Sequence, residues 1–259
     1  MDQPKVLTLD VETSPNIAHV WSLWDQNVSL AQLQESTSVI SWAAKWHGKK
    51  KVHFASDYHA LTGVFWADGS GHRAMVKGIY DLWNEADVVI HFNGTTFDMP
   101  HLRREFLVAG LSPPKPVQEI DLLRVAKGRF RFTSNKLDYI TQYLGLPGKV
   151  KHSGHALWVQ CMAGDEKAWQ MMRRYNKADV VITEQLYDRL RQWTKAQPHA
   201  GLFSGLGYDC CARCGSTDIE RRGRAYTPLA TFQQYRCRAC GSWSRGAKAL
   251  SRVDMRGTA

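Results

Sequence analysis

Residues 5–13 read Lys5-Val-Leu-Thr-Leu-Asp-Val-Glu-Thr13, and from Leu7 to Glu12 apolar and polar side chains alternate. A β-strand sends successive side chains to opposite faces. On such a strand Leu7, Leu9 and Val11 share one face, and Thr8, Asp10 and Glu12 the other. Two neighbouring carboxylates repel unless a cation lies between them, and hard divalent cations such as Mg²⁺ take oxygen ligands of this kind. An ordinary solvated strand face carries the same pattern, so the pair by itself does not establish chemistry.

Working outward, Ser38–Trp46 and Lys51–Ala55 read as two further strands across the solvated turn Gly48-Lys-Lys, an antiparallel meander opening the fold. Ala74–Glu85 places Met75, Ile79, Leu82 and Trp83 on one helical face. Asp87–Phe92 is a short continuous apolar run, as a buried interior strand would be. Met99–Ala109 reads as a helix and Val117–Leu122 as a strand. Asn135–Leu144 has helical spacing and stops at Gly145, and Asp165–Trp193 is one long helix or two abutting ones. This order predicts an α/β domain over residues 1–195, with a mixed sheet flanked by helices. A Gly-, Pro- and Ala-rich linker is expected over 196–208 and a small second domain over 209–259.

Two more stretches carry candidate chemistry. Asn93-Gly-Thr-Thr-Phe-Asp98 follows the apolar strand and leads into a helix, so Asp98 is either a functional carboxylate or a helix N-cap with Pro100 in the first turn. Tyr175 and Asp179, four apart, share one face of the long helix. Alone, that pair reads as a surface Asp below a half-buried Tyr. The ordered set Asp10-x-Glu12, Asn93-x₃-Phe97-Asp98, Tyr175-x₃-Asp179 resembles the three motifs of the DEDD 3′→5′ exonuclease family, a branch of the ribonuclease H-like fold. The resemblance spans about the first 190 residues, and Ser134–Leu146 looks like the helix preceding the third motif in that family. The His subtype needs His five residues before the last Asp; here that position is Arg174, so the chain resembles the tyrosine, or DEDDy, subtype.

The resemblance implies catalytic Asp10, Glu12, Asp98, Tyr175 and Asp179, the four carboxylates holding two Mg²⁺ or Mn²⁺ ions. Asp10 would bridge both ions, Glu12 and Asp179 would complete the site that activates water, and Asp98 would support the second ion. Tyr175 would orient the attacking water, because a phenol of pKa near 10 is a poor base at neutral pH. Products would be nucleoside 5′-monophosphates. Asn93 and Phe97 match positions that shape the pocket of the terminal nucleotide; Phe97 suits core packing equally well. Lys127-Gly-Arg-Phe-Arg-Phe132 interleaves cations and aromatics, which suits a binding rim with Arg129 and Arg131 on phosphate and Phe130 stacked on bases. Its other reading is an amphipathic strand with solvated arginines. The ten tryptophans read mostly as core, and His152 and His155 as loop histidines.

Lys+Arg number 34 against 24 Asp+Glu, a net charge of +10 that favours a polyanionic partner. From Ala200 onward there are ten basic and four acidic residues, so more than half the excess lies in the last sixty residues. The hydrophobic fraction of 44% excludes general disorder, and no apolar run reaches the ~18 residues of a membrane span. The N-terminus lacks the pattern of an export signal, which leads to the expectation of a cytoplasmic protein in a bacterial or phage-infected cell.

Five of six cysteines lie in the last fifty residues, a clustering that reads as metal binding. Cys211-x₂-Cys214-Gly and Cys237-x₂-Cys240-Gly are two knuckles 22 residues apart, and four thiolates so spaced form a closed tetrahedral Zn²⁺ site. The segment resembles a zinc ribbon with one structural ion, its hairpin strands expected at Tyr226–Leu229 and Phe232–Arg236. Cys210 is a spare beside the first knuckle and Cys161 a buried helix residue. Arg221, Arg222, Arg224, Arg236 and Arg238 suit a nucleic-acid contact or a replication or repair protein. The expected activity is 3′→5′ exonucleolytic hydrolysis of DNA. RNA trimming is the alternative, as is a non-catalytic binding module on a nuclease scaffold.

Overall fold

The computed structural model describes residues 4–59, 64, 65, 70–195, 197–204 and 210–257. The chain divides into two compact units, Lys5–Tyr187 and a C-terminal one that begins at Asp188.

The first unit is built on a five-stranded sheet. The opening stretch forms β1 (Val6–Thr13), followed by the short β2 (Ile17–Ala18) and β3 (Leu33–Glu35), which pair with each other. Then come β4 (Val39–Trp46) and β5 (Val52–Ser56), and a second short pair, β6 (Tyr58–His59) and β7 (Val64–Phe65). Helix α1 (Ser70–Glu85) leads to β8 (Val88–His91), α2 (Asp98–Val108) to β9 (Gln118–Asp121), and α3 (Leu122–Arg129), α4 (Leu137–Tyr143), α5 (His155–Met162) and α6 (Glu166–Leu190) complete the order. The sheet runs β5-β4-β1-β8-β9. β1 is antiparallel to β4 and parallel to β8, so the sheet is mixed and the opening meander is present.

The alternation in β1 sorts its two faces. Leu7, Leu9 and Val11 pack with Trp42 and Ala44 of β4 against α1 and α2, through Met75, Ile79, Trp83, Met99, Leu102 and Phe106. The opposite face is covered as well: Asn176 of α6 bonds Asp10 and Ser41, and Glu184 pairs with Lys45. Asp10 and Glu12 therefore point at a helix, and the solvated-face reading of the strand fails. Ile40, Leu157, Cys161, Trp169, Met172 and Tyr175 form the apolar part of that second layer. This is a mixed α/β fold, a five-stranded mixed sheet flanked by helices.

Three expectations are corrected. Lys127–Phe132 is no strand: it begins inside α3, which ends at Arg129. Asp121 caps that helix, accepting from Leu123 N at 2.9 Å, and Leu122 and Ala126 bury one face. A cap plus i,i+4 burial outweighs the short alternation that follows. The tryptophans divide between core and surface. Trp42, Trp83 and Trp169 are buried and Trp46 and Trp158 pack half-buried against the core, whereas Trp21, Trp24, Trp193 and Trp243 are exposed; Trp66 lies outside the described residues. The ribbon hairpin is displaced, as follows.

The C-terminal unit contains a helical turn, α7 (Gly201–Ser204), and an antiparallel sheet β10 (Ile219–Tyr226), β11 (Ala230–Cys237), β12 (Trp243–Arg252). Thr227–Leu229, read as the end of a strand, makes the β10–β11 turn: Thr227 N donates to Ala230 O at 2.8 Å, and Ala230 N donates to Thr227 Oγ1 at 3.0 Å. Pro228 has no N–H to offer a ladder, which fixes the turn there. The stretch read as linker is tied to the first knuckle, with Ala200 N donating to Ala212 O at 2.9 Å and Gln197 Nε2 to Arg213 O at 3.1 Å. Residues 196 and 205–208 of that stretch, and residue 209 after it, lie outside the described residues.

Candidate active site and cysteine centre

Carboxyl oxygens of Asp10, Glu12 and Asp179 lie within 4.8 Å of one another. β1 supplies the first two and α6 the third. Asp98 stands behind them: its Oδ1 accepts from Val11 N at 3.0 Å, the amide between Asp10 and Glu12. Phe97, not Asp98, occupies the cap position of α2, and Asp98 is the first helical residue. The capping alternative fails because its carboxylate faces β1.

The cluster is a site of concentrated like charge. Burial, then Asp98, Glu12 and Asp179, raise Asp10 far above the usual carboxylate range, against a smaller pull from Lys149. Glu12 is pushed up to about 8 by burial and Asp179. Asp98 rises to about 6 through burial, held back by His91 and the Val11 amide. Burial also raises Asp179, with Lys149 opposing. Four oxygen-bearing acids that disfavour one another's charge suit a divalent cation, which would reverse each of these shifts.

Three side chains that sequence reading did not single out complete the site. Lys149 Nζ lies 2.5 Å from Asp179 Oδ2 and donates to Tyr175 Oη at 2.9 Å. Burial disfavours its charge, but Asp179 and Tyr175 outweigh that and keep it an ammonium. Asn176, fully buried, donates from Nδ2 to Asp10 Oδ2 at 2.6 Å and so fixes the carboxylate's rotation. Asp121 accepts from Asn93 N at 2.9 Å and from Thr95 N at 3.4 Å, anchoring the loop before Asp98. Lys149 follows Gly148 in a loop with no periodic pattern, which hid it. Asn176 had a usable signal: it neighbours Tyr175 on a helix face that must pack against a strand.

Tyr175 is buried, its phenol raised above the ordinary tyrosine range by burial, Glu12 and Asp179. The ring of His152 lies 4.6 Å from it. Asn93 adopts a left-handed backbone, φ +69°, and its side-chain Oδ1 accepts from Thr96 Oγ1 at 3.0 Å. Gly94 is required by space, since a Cβ there would lie 2.4 Å from the His91 ring. Phe97 is 39% exposed, which removes it from the core. Arg129 and Arg131 are exposed, and the rings of Phe130 and Phe132 lie 5.5 Å apart.

In the C-terminal unit the sulfurs of Cys211, Cys214, Cys237 and Cys240 lie within 4.8 Å of one another. The two knuckles repeat one backbone pattern: Gly215 N donates to Cys211 O at 3.0 Å and Gly241 N to Cys237 O at 2.9 Å, each glycine at φ +74°. Only glycine takes that conformation without strain. Burial would raise Cys240, but hydrogen bonds with Ser242 prevail and bring it to about 7. The four-thiol donor set is compatible with a zinc ribbon.

A family model described as the RNase H superfamily matches residues 52–191, more than half of the chain. The chain belongs to the RNase H superfamily. The match begins at β5, so Asp10 and Glu12 lie before it, whereas Asp98, Tyr175 and Asp179 fall within it. Among solved structures, the family B DNA polymerase from the hyperthermophilic archaeon Pyrobaculum calidifontis is similar with a TM-score of 0.54 at 18% identity. The similarity covers 87% of this chain and 31% of the polymerase, and at that identity it is a likeness of fold. No curated protein matches the chain. Among the described residues of this RNase H superfamily member, no helix is long and apolar enough to cross a membrane.

Proposed function

We propose that this chain is a metal-dependent 3′→5′ exonuclease of the DEDDy type, acting on single-stranded DNA or 3′ ends and releasing nucleoside 5′-monophosphates. The observation that carries the reading is the convergence of Asp10, Glu12 and Asp179 within 4.8 Å, with Asp98 held behind them on the Val11 amide. The net charge of +10 suits a polyanionic substrate.

Asp10, Glu12, Asp98 and Asp179 would hold two Mg²⁺ or Mn²⁺ ions, which supply Lewis-acid stabilisation of the charge that develops on phosphate and on the departing 3′-oxygen. The chain's own residues do the rest. Asn176 keeps Asp10 in one rotamer. Lys149 donates to the Tyr175 oxygen, leaving the phenol proton free to bond a water or a carboxylate. With its acidity suppressed, Tyr175 orients the attacking water and does not deprotonate it. Lys149 also offers a fixed positive charge beside the scissile phosphate.

We assign the nuclease domain to residues 1–195 and a zinc ribbon to 209–259, joined by 196–208. Cys211, Cys214, Cys237 and Cys240 would hold one structural Zn²⁺, a closed set with no position for substrate. The ribbon's arginines provide a nucleic-acid or protein contact.

The test is incubation of the purified protein with 5′-labelled single-stranded DNA, matched RNA and a duplex, with Mg²⁺ or Mn²⁺, beside Asp10→Ala. A 3′-shortening ladder on DNA that disappears in Asp10→Ala is the expected result. Faster loss of RNA would make the chain an RNA-trimming enzyme. No shortening of any substrate, with binding intact, would leave a binding module.

A further inference from the structure

Between β1 and β4 the chain leaves the sheet two residues past Glu12 and returns beside its point of departure. Ser14 N donates to Ser38 O, and Ser38 N donates to Ser14 Oγ, both at 2.9 Å. The β2–β3 pair forms a neck, closed by His19 N donating to Gln32 O and Gln32 Nε2 donating to His19 O, again both at 2.9 Å. Ser29 N donates to Gln32 Oε1 at 3.0 Å, and inside the tip Gln26 Nε2 donates to Trp24 O at 2.6 Å. The tip is thus an ordered, tied loop. Yet it holds Trp21 97% exposed, Leu23 86% exposed and Trp24 82% exposed.

Two features say what such a tip would touch. First, it rises from the end of β1 that carries the acids. β8 runs parallel to β1 and delivers the Asn93–Asp98 loop at the same end. Ligands of open α/β sheets bind beyond the carboxyl ends of the parallel strands. Second, no Lys or Arg occurs between Lys5 and Lys45. A surface that met phosphates would need cations, whereas bases need only flat apolar faces.

We propose that Trp21 and Trp24 form a stacking platform for the bases of a single-stranded nucleic acid whose end enters the carboxylate cluster. The direction of the strand rests on the nuclease reading; the binding itself does not. Every base has a π-face, so the platform tolerates any sequence, and Leu23 between the tryptophans fills the space beside a stacked base.

The test is fluorescence anisotropy of labelled DNA and RNA strands of about 12 nucleotides, with Ca²⁺ replacing Mg²⁺ so that binding is read without hydrolysis. Both side chains are exposed, so their replacement leaves the core untouched. The double variant Trp21→Ala/Trp24→Ala is expected to raise Kd roughly ten- to a hundredfold. Trp21→Phe/Trp24→Phe should retain most of the affinity, and Trp21→Leu/Trp24→Leu should not. Hydrolysis of the p-nitrophenyl ester of thymidine 5′-monophosphate, which has no neighbouring base to stack, should be unchanged in all three. An unchanged Kd in the alanine variant, or full affinity in the leucine variant, overturns the platform. If the native chain hydrolyses neither ester nor oligonucleotide, the nuclease reading fails, and the anisotropy series still decides the loop's role.

Discussion

Asn176 bonds Asp10 through Nδ2 and lies 3.4 Å from Ser41 Oγ through Oδ1, with no exposed surface. If Asp10 ligates a metal as proposed, a neutral amide in that place would orient its carboxylate without adding charge, as outer-shell partners of metal sites do. Asn176→Ala should therefore lower activity about 10- to 100-fold and raise the Mg²⁺ concentration for half-maximal rate, with the chain still folded. Titration of rate against Mg²⁺ checks this; an unchanged half-point would mean that Asn176 only fills space. Lys149→Met separates a second contribution. It removes the ammonium from Asp179 and Tyr175, and should cut kcat by at least about 100-fold if the charge stabilises the transition state. Arginine would not substitute well, because its planar fork does not fit the same two partners as a point charge.

At the scale of elements, two contacts hold the strands and helices that carry the acids. The loop from β8 to α2 passes over His91 so closely that Gly94→Ala would set a Cβ 2.4 Å from the ring. The ring is buried and cannot swing out, so the variant should be destabilised by about 2 kcal/mol. It should also shift Asp98; a lowered urea midpoint together with lost activity is the expected outcome. The second contact is His72 on α1, which reaches Asp57 at 2.8 Å and Glu105 of α2 at 3.2 Å, raising His72 to about 10. Glu105 also accepts from Val39 N at the head of β4. An imidazolium has two N–H donors, and both are used. Since the folded value lies above the unfolded 6.5, the stabilisation is complete below pH 6.5 and disappears as pH rises through 10. The melting temperature should fall between those pH values, and His72→Gln should flatten that part of the profile.

For the whole molecule, the division into two units means that metal removal should act on each differently. A chain of roughly fifty residues has too little core to hold its fold without a staple. One equivalent of zinc, by atomic absorption, is expected for the native chain and none for Cys211→Ser. Chelation should expose residues 210–257 to protease, and Mg²⁺ should not restore them. If the same residues stay resistant without zinc, the sheet β10–β11–β12 supports itself.

Local pattern reached far in this chain. The alternation in Leu7–Glu12 identified the sheet strand and its acidic face, because side-chain direction along a strand has a strict period of two. The knuckles were equally legible: a thiol pair two residues apart closes one turn whatever surrounds it. The acid motifs were readable as an ordered set, although 85 residues lie between Glu12 and Asp98. What escaped were contacts between elements that have no register in sequence. Lys149 becomes part of the site only when its loop is laid against α6, and Asn176 only when α6 covers β1. The tryptophans mark the same boundary from the other side. Hydrophobicity said core for most of the ten, but burial is a property of what packs on top, and among the described residues the tip leaves Trp21 and Trp24 exposed. Composition and period decide which way a side chain points; only the assembled layers decide what it meets there.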